Sequence, residues 1–75
     1  MAAMATEHDH LAQAIWHIAQ GEQRVREQRA LVARLAERGQ DTTLAELLLD
    51  TMQTSLNRMG EHRQLIERAI AAGRK

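Results

Sequence analysis

Apolar and small residues recur every three or four positions through the first half of the chain, with one polar member in the row. The row runs through Leu11, Ala14, Ile15, Ile18, Gly21, Val25, Gln28, Val32 and Leu35. This spacing is typical of one face of an amphipathic helix. Thr6, with Asp9 three residues later, is suited to cap the start of that helix, and Gly39 is suited to end it. The pattern predicts a first helix over about residues 7–38.

The second half repeats the three-and-four spacing. Its row runs through Leu44, Leu48, Met52, Ser55, Leu56, Met59, His62, Ile66, Ala69 and Ile70. Three neighbouring residues are candidates to cap its start, Asp41, Thr42 and Thr43, and Gly73 is placed to end it. The pattern predicts a second helix over about residues 43–72.

The predicted turn, about residues 39–42, is so short that the two helices must run antiparallel and side by side. Each helix would be about 45 Å long. With the turn near residue 40, the numbers of facing residues sum to roughly 80. This register gives the following facing sets: Leu35 with Ala45, Val32 with Leu48, Gln28 with Met52, Val25 with Leu56, Gly21 with Met59, Ile18 with His62, Ala14 and Ile15 with Ile66, and Leu11 with Ala69 or Ile70.

Two glycines, Gly21 and Gly60, fall at the same height in this register. A glycine inside a helix costs about 1 kcal/mol relative to alanine, so the pair needs a reason. We interpret it as a close approach of the helices with Met59 filling the gap; a local hinge is the alternative. Together with Gly39 at the turn, these glycines are predicted to be structural.

More apolar surface is present than one hairpin can hide, since Trp16, Leu31, Leu47 and Leu49 flank the main rows. Two helices alone do not enclose a core. We therefore expect a homodimer that forms an antiparallel four-helix bundle of the coiled-coil kind. The rival is a hairpin whose apolar face binds a different protein. The residues expected at the dimer or partner interface are Leu11, Ile15, Trp16, Ile18, Val25, Val32, Leu35, Leu48, Met52, Leu56, Met59 and Ile66.

The composition agrees with one small, helical domain. The chain has 75 residues, no Cys, Pro, Tyr or Phe, one Trp and a formal net charge of zero. The absence of Cys excludes disulfides and thiolate metal sites, and a neutral chain lacks the basic surface that nucleic acids require. No segment has the length and apolarity of a membrane span or a secretion signal. We expect a soluble cytoplasmic protein that binds neither nucleic acid nor membranes.

Charge alternates in four blocks along the chain. Residues 1–23 carry three acidic and no basic side chains, and residues 24–40 carry five arginines against two glutamates. Residues 41–57 again carry three acidic side chains only, and residues 58–75 carry five basic against two acidic. Folding the chain near residue 40 sets opposite blocks side by side. An acidic start and a basic end also suit the macrodipole of each helix, which explains the pattern equally well.

The histidines are the candidates for metal binding. Glu7 and His10 have the Glu-x-x-His spacing of di-metal bundles, although no second such motif follows. His17 and His62 lie at about the same height, and a dimer would double them, so a zinc or copper site is an alternative. The simpler interpretation is that all four histidines, these three and His8, are surface or interface residues, with a pH-sensitive interface as a milder option. No cofactor is predicted.

No residue has the setting of a catalytic group. Phosphotransfer through His62 is the most specific idea, but the acidic and polar residues that follow such a histidine in sensor kinases are missing. There is no glycine-rich phosphate loop and no nucleophile beside a base. We therefore expect no enzymatic activity.

Several stretches together resemble a known group of proteins. They are His17-Ile18-Ala19, Gly21-Glu22, Arg24-Val25, Gln28-Arg29-Ala30-Leu31-Val32-Ala33-Arg34-Leu35, Gly39-Gln40-Asp41-Thr42, Ala45, Leu48-Leu49, Thr51-Met52, Ser55-Leu56 and His62-Arg63. Over roughly residues 10–67 the chain is similar to short, uncharacterised helical-hairpin proteins common in alphaproteobacteria. The resemblance implies a helical hairpin and a bacterial cytoplasmic setting, with Gly21 and Gly39 as structural markers, and it implies no activity.

The sequence thus predicts an all-α antiparallel hairpin that dimerises and acts as an interaction or regulatory module. It would display a helical surface to a partner protein, either the arginines Arg24, Arg29 and Arg34 or the apolar pair Trp16 and Ala12. The alternative function is a bundle that binds metal through its histidines.

Overall fold

The structure, a computed structural model, describes residues 6–73. Two long helices, α1 (Glu7–Glu37) and α2 (Thr43–Ala72), pack against each other, and these residues contain no strand. The prediction of an all-helical chain with two packed helices is confirmed. The molecule measures 57 × 27 × 13 Å. Its smallest dimension is about the diameter of one helix with its side chains, so the hairpin is a single layer.

The start of α1 is held by reciprocal hydrogen bonds between Thr6 and Asp9. The Asp9 backbone N–H donates to the Thr6 hydroxyl oxygen (3.2 Å), and the Thr6 backbone N–H donates to the Asp9 carboxylate (3.1 Å). These bonds satisfy two donors that a helix start leaves unpaired. The Thr6 backbone N–H, and to a lesser extent its side chain, stabilise the ionised carboxylate and lower the pKa of Asp9.

The end of α1 is a glycine stop. Gly39 has a φ of +68°, its N–H donates to the Ala36 carbonyl (3.0 Å), and the N–H of Gln40 donates to the Leu35 carbonyl (2.9 Å). This pair of bonds is the Schellman arrangement, which needs a left-handed residue at the position of Gly39. The backbone therefore turns sharply enough for α2 to return alongside α1.

Asp41 is the residue whose side chain caps α2. Its carboxylate accepts the backbone N–H of Thr43 (2.9 Å) and the hydroxyl of the same residue (2.7 Å). The side chain of Thr42, which directly precedes the helix, makes no capping bond. The two bonds from Thr43 lower the pKa of Asp41. At the other end Gly73 follows the last helical residue with a right-handed φ of −74°.

The helices meet along a seam whose residues follow one another three and four apart; Leu31, Gln53 and Gly60, directly beside it, are also half-buried. On α1 the seam consists of Leu11, Ala14, Ile18, Gly21, Val25, Gln28, Val32 and Leu35. On α2 it consists of Ala45, Leu49, Met52, Leu56, Met59, Arg63, Ile66 and Ile70. A repeat of seven residues with two seam positions is the coiled-coil pattern. Contacts across the seam, such as Gly21 beside Met59, agree with a register in which facing numbers sum to about 80.

Six residues of the predicted rows lie outside the seam, and two of them are displaced by the next residue along the chain. Leu48 was the expected neighbour of Val32, but it is 47% exposed and the next residue, Leu49, is half-buried instead. The run of three leucines offers three choices, and both Leu48 and Leu49 lie three and four residues from Ala45 and Met52. Only Leu49 keeps the alternation going, because the next step, from Met52 to Leu56, is four residues. A leucine run therefore hides the seam position from simple inspection.

The same shift of one residue replaces His62 by Arg63. His62 is exposed, whereas Arg63 is half-buried and its Nε donates to the Glu67 carboxylate (2.7 Å). A long arginine side chain can cover apolar surface with its aliphatic stem while its charged end stays in water. Ile15 (43% exposed), Leu44 (80% exposed), Ser55 and Ala69 also lie beside the seam rather than in it.

Gly21 and Gly60, which lie at the same height along the hairpin, differ in their surroundings. A Cβ atom added to Gly21 would lie 3.1 Å from Leu56 Cδ1 and 3.5 Å from Met59 Sδ. A Cβ atom added to Gly60 would have no neighbour within 4 Å. The close approach expected at this height therefore involves Gly21 alone, with Leu56 as well as Met59 against it.

Candidate interaction surface

The seam divides the hairpin into two broad faces, which differ in chemistry. Residues that directly precede every second seam position lie on one side, here called the leucine face. They are His10, His17, Arg24 and Leu31 on α1, and Leu48, Ser55, His62 and Ala69 on α2. Arg24 and Ser55 line the same groove, and Leu31 and Leu48 line another, as this assignment requires. Only one of the eight, Arg24, carries a formal charge when histidine is neutral.

Residues that directly follow the other seam positions form the opposite side, here called the charged face. They are Ile15, Glu22, Arg29 and Ala36 on α1, and Glu46, Gln53, Gly60 and Glu67 on α2. The guanidinium of Arg29 donates to the Gln53 side-chain oxygen across the seam (3.1 Å), and Gln53 donates in turn to Asn57 (3.2 Å). Four of the eight residues are charged, so this face is suited to water.

The turn end of the leucine face is an apolar depression. Leu44 and Leu48 stand 80% and 47% exposed at its rim. Its lining is completed by Leu31, Leu35, Ala45 and the capping residue Asp41, with Gln28 at the bottom of the seam. Exposed leucines in one depression are the kind of surface that monomeric proteins seldom leave in water.

A second groove continues the leucine face toward the open end of the hairpin. Because Gly21 has no side chain, the groove opens over it between Met52, Leu56 and Met59. Methionine side chains are flexible and adapt to a variety of neighbours. The leucine face therefore offers two adjoining apolar hollows along the middle and turn end of the molecule.

The residues predicted at the interface separate into two sets. Nine of them lie in the seam between α1 and α2: Leu11, Ile18, Val25, Val32, Leu35, Met52, Leu56, Met59 and Ile66. The other three, Ile15, Trp16 and Leu48, are exposed. Trp16 is 58% exposed, and its ring lies edge-on to His17 with 5.3 Å between centroids.

The three arginines predicted to share a surface do not share one. Arg24 belongs to the leucine face, whereas Arg29 belongs to the charged face, and Arg34 points away from the seam. Residues five apart on a helix are rotated by about 140°, so this spacing distributes side chains around α1.

The histidine candidates, His10, His17 and His62, are all exposed and all lie on the leucine face. Within residues 6–73 no three histidine, aspartate or glutamate side chains come together in a way that would hold a metal ion. Within one hairpin, His17 and His62 occupy equivalent places on the two helices.

Sequence reasoning missed the role of Gln28. It is 8% exposed, and its amide nitrogen donates to the backbone carbonyl of Ala45 (2.9 Å). The sequence pattern already indicated this role, because a glutamine in an otherwise apolar row needs a hydrogen-bond partner if it is buried.

Neither helix, over the part of the chain that the structure describes, is both long and apolar enough to cross a membrane. Comparison with models of protein families, with curated proteins and with solved structures finds no match to this chain. The surface chemistry of the hairpin is therefore the basis for a functional proposal.

Proposed function

We propose that this chain is a non-enzymatic helical interaction module that associates with itself into a four-helix bundle. The observation that carries the proposal is the thin core. Only three apolar residues of the hairpin are buried, Ala14, Val25 and Ile66, and no described side chain is completely removed from solvent. Stable domains pack at least two layers around a core, and this hairpin is one layer.

The exposed area points the same way. The chain exposes 6119 Å², whereas a compact monomer of its mass, 8.5 kDa, exposes about 4,700 Å². The excess of about 1,400 Å² is larger than the roughly 800 Å² that each partner buries in a standard interface. A second copy of the hairpin would supply the missing layer without a different protein. Two-fold dimers are the commonest assemblies of identical chains.

Self-association through one face leaves other surfaces for a partner protein. Trp16 and Ala12 stand on the outward side of α1, away from the leucine face. A large exposed aromatic side chain is a frequent anchor in protein interfaces. We propose that this outward apolar patch is the surface that the dimer displays to its partner.

The proposal is tested by thermal unfolding at different protein concentrations. If folding and dimerisation are coupled, mass action raises the melting temperature as the concentration rises. We expect the melting temperature, measured by far-ultraviolet circular dichroism, to rise clearly over a hundredfold range of protein concentration. A melting temperature that does not change with concentration would argue for a self-sufficient monomer.

Metal binding is the second candidate function, favoured by the placement of His17 and His62 at equivalent positions of the leucine face. A dimer formed through that face would bring four imidazoles to one level, and neutral imidazole is a good ligand for zinc and copper. Elemental analysis of untagged, purified protein decides it: stoichiometric metal supports this function, and its absence after equilibration with zinc argues against it.

A further inference from the structure

We propose that a second copy of this chain docks on the leucine face, with the two-fold axis parallel to the long axis of the hairpin. Both turns then lie at the same end, and α1 of each copy lies against α2 of the other. This inference rests on the proposed self-association and adds the face and the orientation that it uses.

The choice of face follows from desolvation. Covering the charged face would remove Glu22, Arg29, Glu46 and Glu67 from water, and a buried charge is costly unless it is paired. Covering the leucine face removes Leu44 and Leu48 from water, and of its eight defining residues only Arg24 is charged. At its outer edge Glu27, Arg34 and Arg58 occupy the same helix position as Leu44, and Asp41 lines the depression, so this face is the less charged of the two. The second copy therefore gains most by docking on the leucine face.

The orientation follows from where the leucines lie along the molecule. With the axis parallel to the hairpin, Leu31 of one copy lies at the level of Leu48 of the other, and the two turn-end depressions close on each other. An axis perpendicular to the hairpin sets the turn end against the open end. The leucines would then face the levels of His10 and His17, and their apolar surface would meet polar side chains.

Charge favours the same orientation. With α1 against the other copy's α2, Arg24 lies at the level of Ser55, which is uncharged. With a perpendicular axis through the middle of the hairpin, Arg24 would meet its own copy. Either axis sets an acidic half of one helix against a basic half of another, because each helix is acidic in its first half and basic in its second. The charge blocks therefore do not distinguish the two orientations, and the surroundings of Arg24 do.

Two adjacent leucines give a matched test of the face. Leu48 is on the leucine face, whereas its neighbour Leu47 is more exposed (59%) and points away from the seam. We expect Leu48→Glu to weaken the dimer by about 100-fold or more in Kd, because a carboxylate would be buried. Leu47→Glu should change Kd by less than about threefold. Equal weakening by the two variants would place the interface elsewhere and overturn the inference.

Cysteine substitution tests the orientation, and the natural chain has no cysteine to interfere. Leu31→Cys and Leu48→Cys are oxidised separately and then as a mixture. We expect little covalent dimer from either variant alone and much from the mixture, because Leu31 of one copy faces Leu48 of the other. Strong crosslinking of each variant alone, or a dimer that never crosslinks in the mixture, overturns the orientation.

The wild-type oligomeric state separates this inference from the function on which it rests. A wild-type monomer at high micromolar concentration would contradict the proposed self-association itself. A wild-type dimer that Leu48→Glu leaves intact would contradict only the docking on the leucine face. The control for disulfides formed by random collision is Leu47→Cys, oxidised in a mixture with Leu31→Cys or with Leu48→Cys. It should form no covalent dimer with either.

Discussion

The side-chain amide of Gln28 donates a hydrogen bond to the backbone carbonyl of Ala45, 2.9 Å away, across the seam between the helices. Gln28 occupies a position where the coiled-coil repeat otherwise favours an apolar residue. Among the described residues no buried side-chain polar atom lacks a hydrogen-bond partner. A single buried polar residue that is satisfied in only one alignment fixes the register of two helices. The pair therefore couples the last third of α1 to the first turn of α2.

We predict that Gln28→Ala lowers the free energy of unfolding by about 1–2 kcal/mol, since it removes one hydrogen bond and leaves a gap. Gln28→Leu fills the gap with apolar atoms, and the Ala45 carbonyl still has its own helix to accept from. We expect Gln28→Leu to stay within about 1 kcal/mol of wild type. Urea unfolding at one fixed protein concentration measures both. An unchanged stability for Gln28→Ala would show that the bond contributes nothing.

The glycines at one height should respond oppositely to substitution. Gly60→Ala is expected to raise the free energy of unfolding by about 1 kcal/mol, because alanine favours the helix and nothing stands near the new methyl group. Gly21→Leu is expected to lower it by about 1–3 kcal/mol, because the side chain would enter the space of Leu56 and Met59.

Thermal melts of the two variants beside wild type provide the measurement. A rise in melting temperature for Gly21→Leu would contradict the close approach of the helices at this height. A fall for Gly60→Ala would show that a further chain packs against Gly60, on the charged face.

The left-handed backbone conformation at position 39 requires a glycine. An L-amino acid with a side chain pays about 1–2 kcal/mol to adopt a left-handed conformation such as the φ of +68° seen here. We predict that Gly39→Ala destabilises the hairpin by about that amount. Asparagine tolerates the conformation better, so Gly39→Asn should cost less and serves as the matched control. Equal losses for the two variants in urea unfolding would mean that the conformation is not the reason.

The cap of α2 makes stability depend on pH. The bonds from Thr43 lower the pKa of Asp41 below its ordinary value of 3.8. A group whose pKa falls on folding stabilises the protein above its unfolded pKa and loses that contribution as pH falls through the folded pKa. Wild type should therefore lose more stability than Asp41→Asn as the pH falls from about 5 to about 2, the range in which the Asp41 carboxylate takes up its proton.

Asparagine can still accept the two bonds, so this variant removes the titration while keeping the cap. Asp9 titrates in both proteins and cancels in the comparison. Urea unfolding at each pH measures the stability of both proteins. Equal losses of stability in the two would contradict a role for the Asp41 charge.

The fold was largely predictable because its determinants are local. The three-and-four row of apolar residues, Thr6 with Asp9, and Gly39 mark where helices start and stop, and a short turn allows one arrangement. The bounds expected from the sequence, about 7–38 and 43–72, compare with Glu7–Glu37 and Thr43–Ala72 in the structure.

The choice between neighbouring residues was less predictable, because it depends on packing across the seam. Leu48 and Leu49 have the same side chain, and only the alternation along α2 decides which one is buried. His62 and Arg63 differ by one position, and hydrophobicity alone does not favour an arginine. The division into a leucine face and a charged face follows from these one-residue choices, so it emerged only once the seam was fixed.

Sedimentation equilibrium of the wild-type protein from low to high micromolar concentration tests the central claim most directly. We predict a reversible dimer with twice the chain mass of 8.5 kDa, because a single layer of two helices leaves its leucine face uncovered. A single species with the mass of one chain throughout the range would contradict the claim that this hairpin completes its fold by pairing with itself.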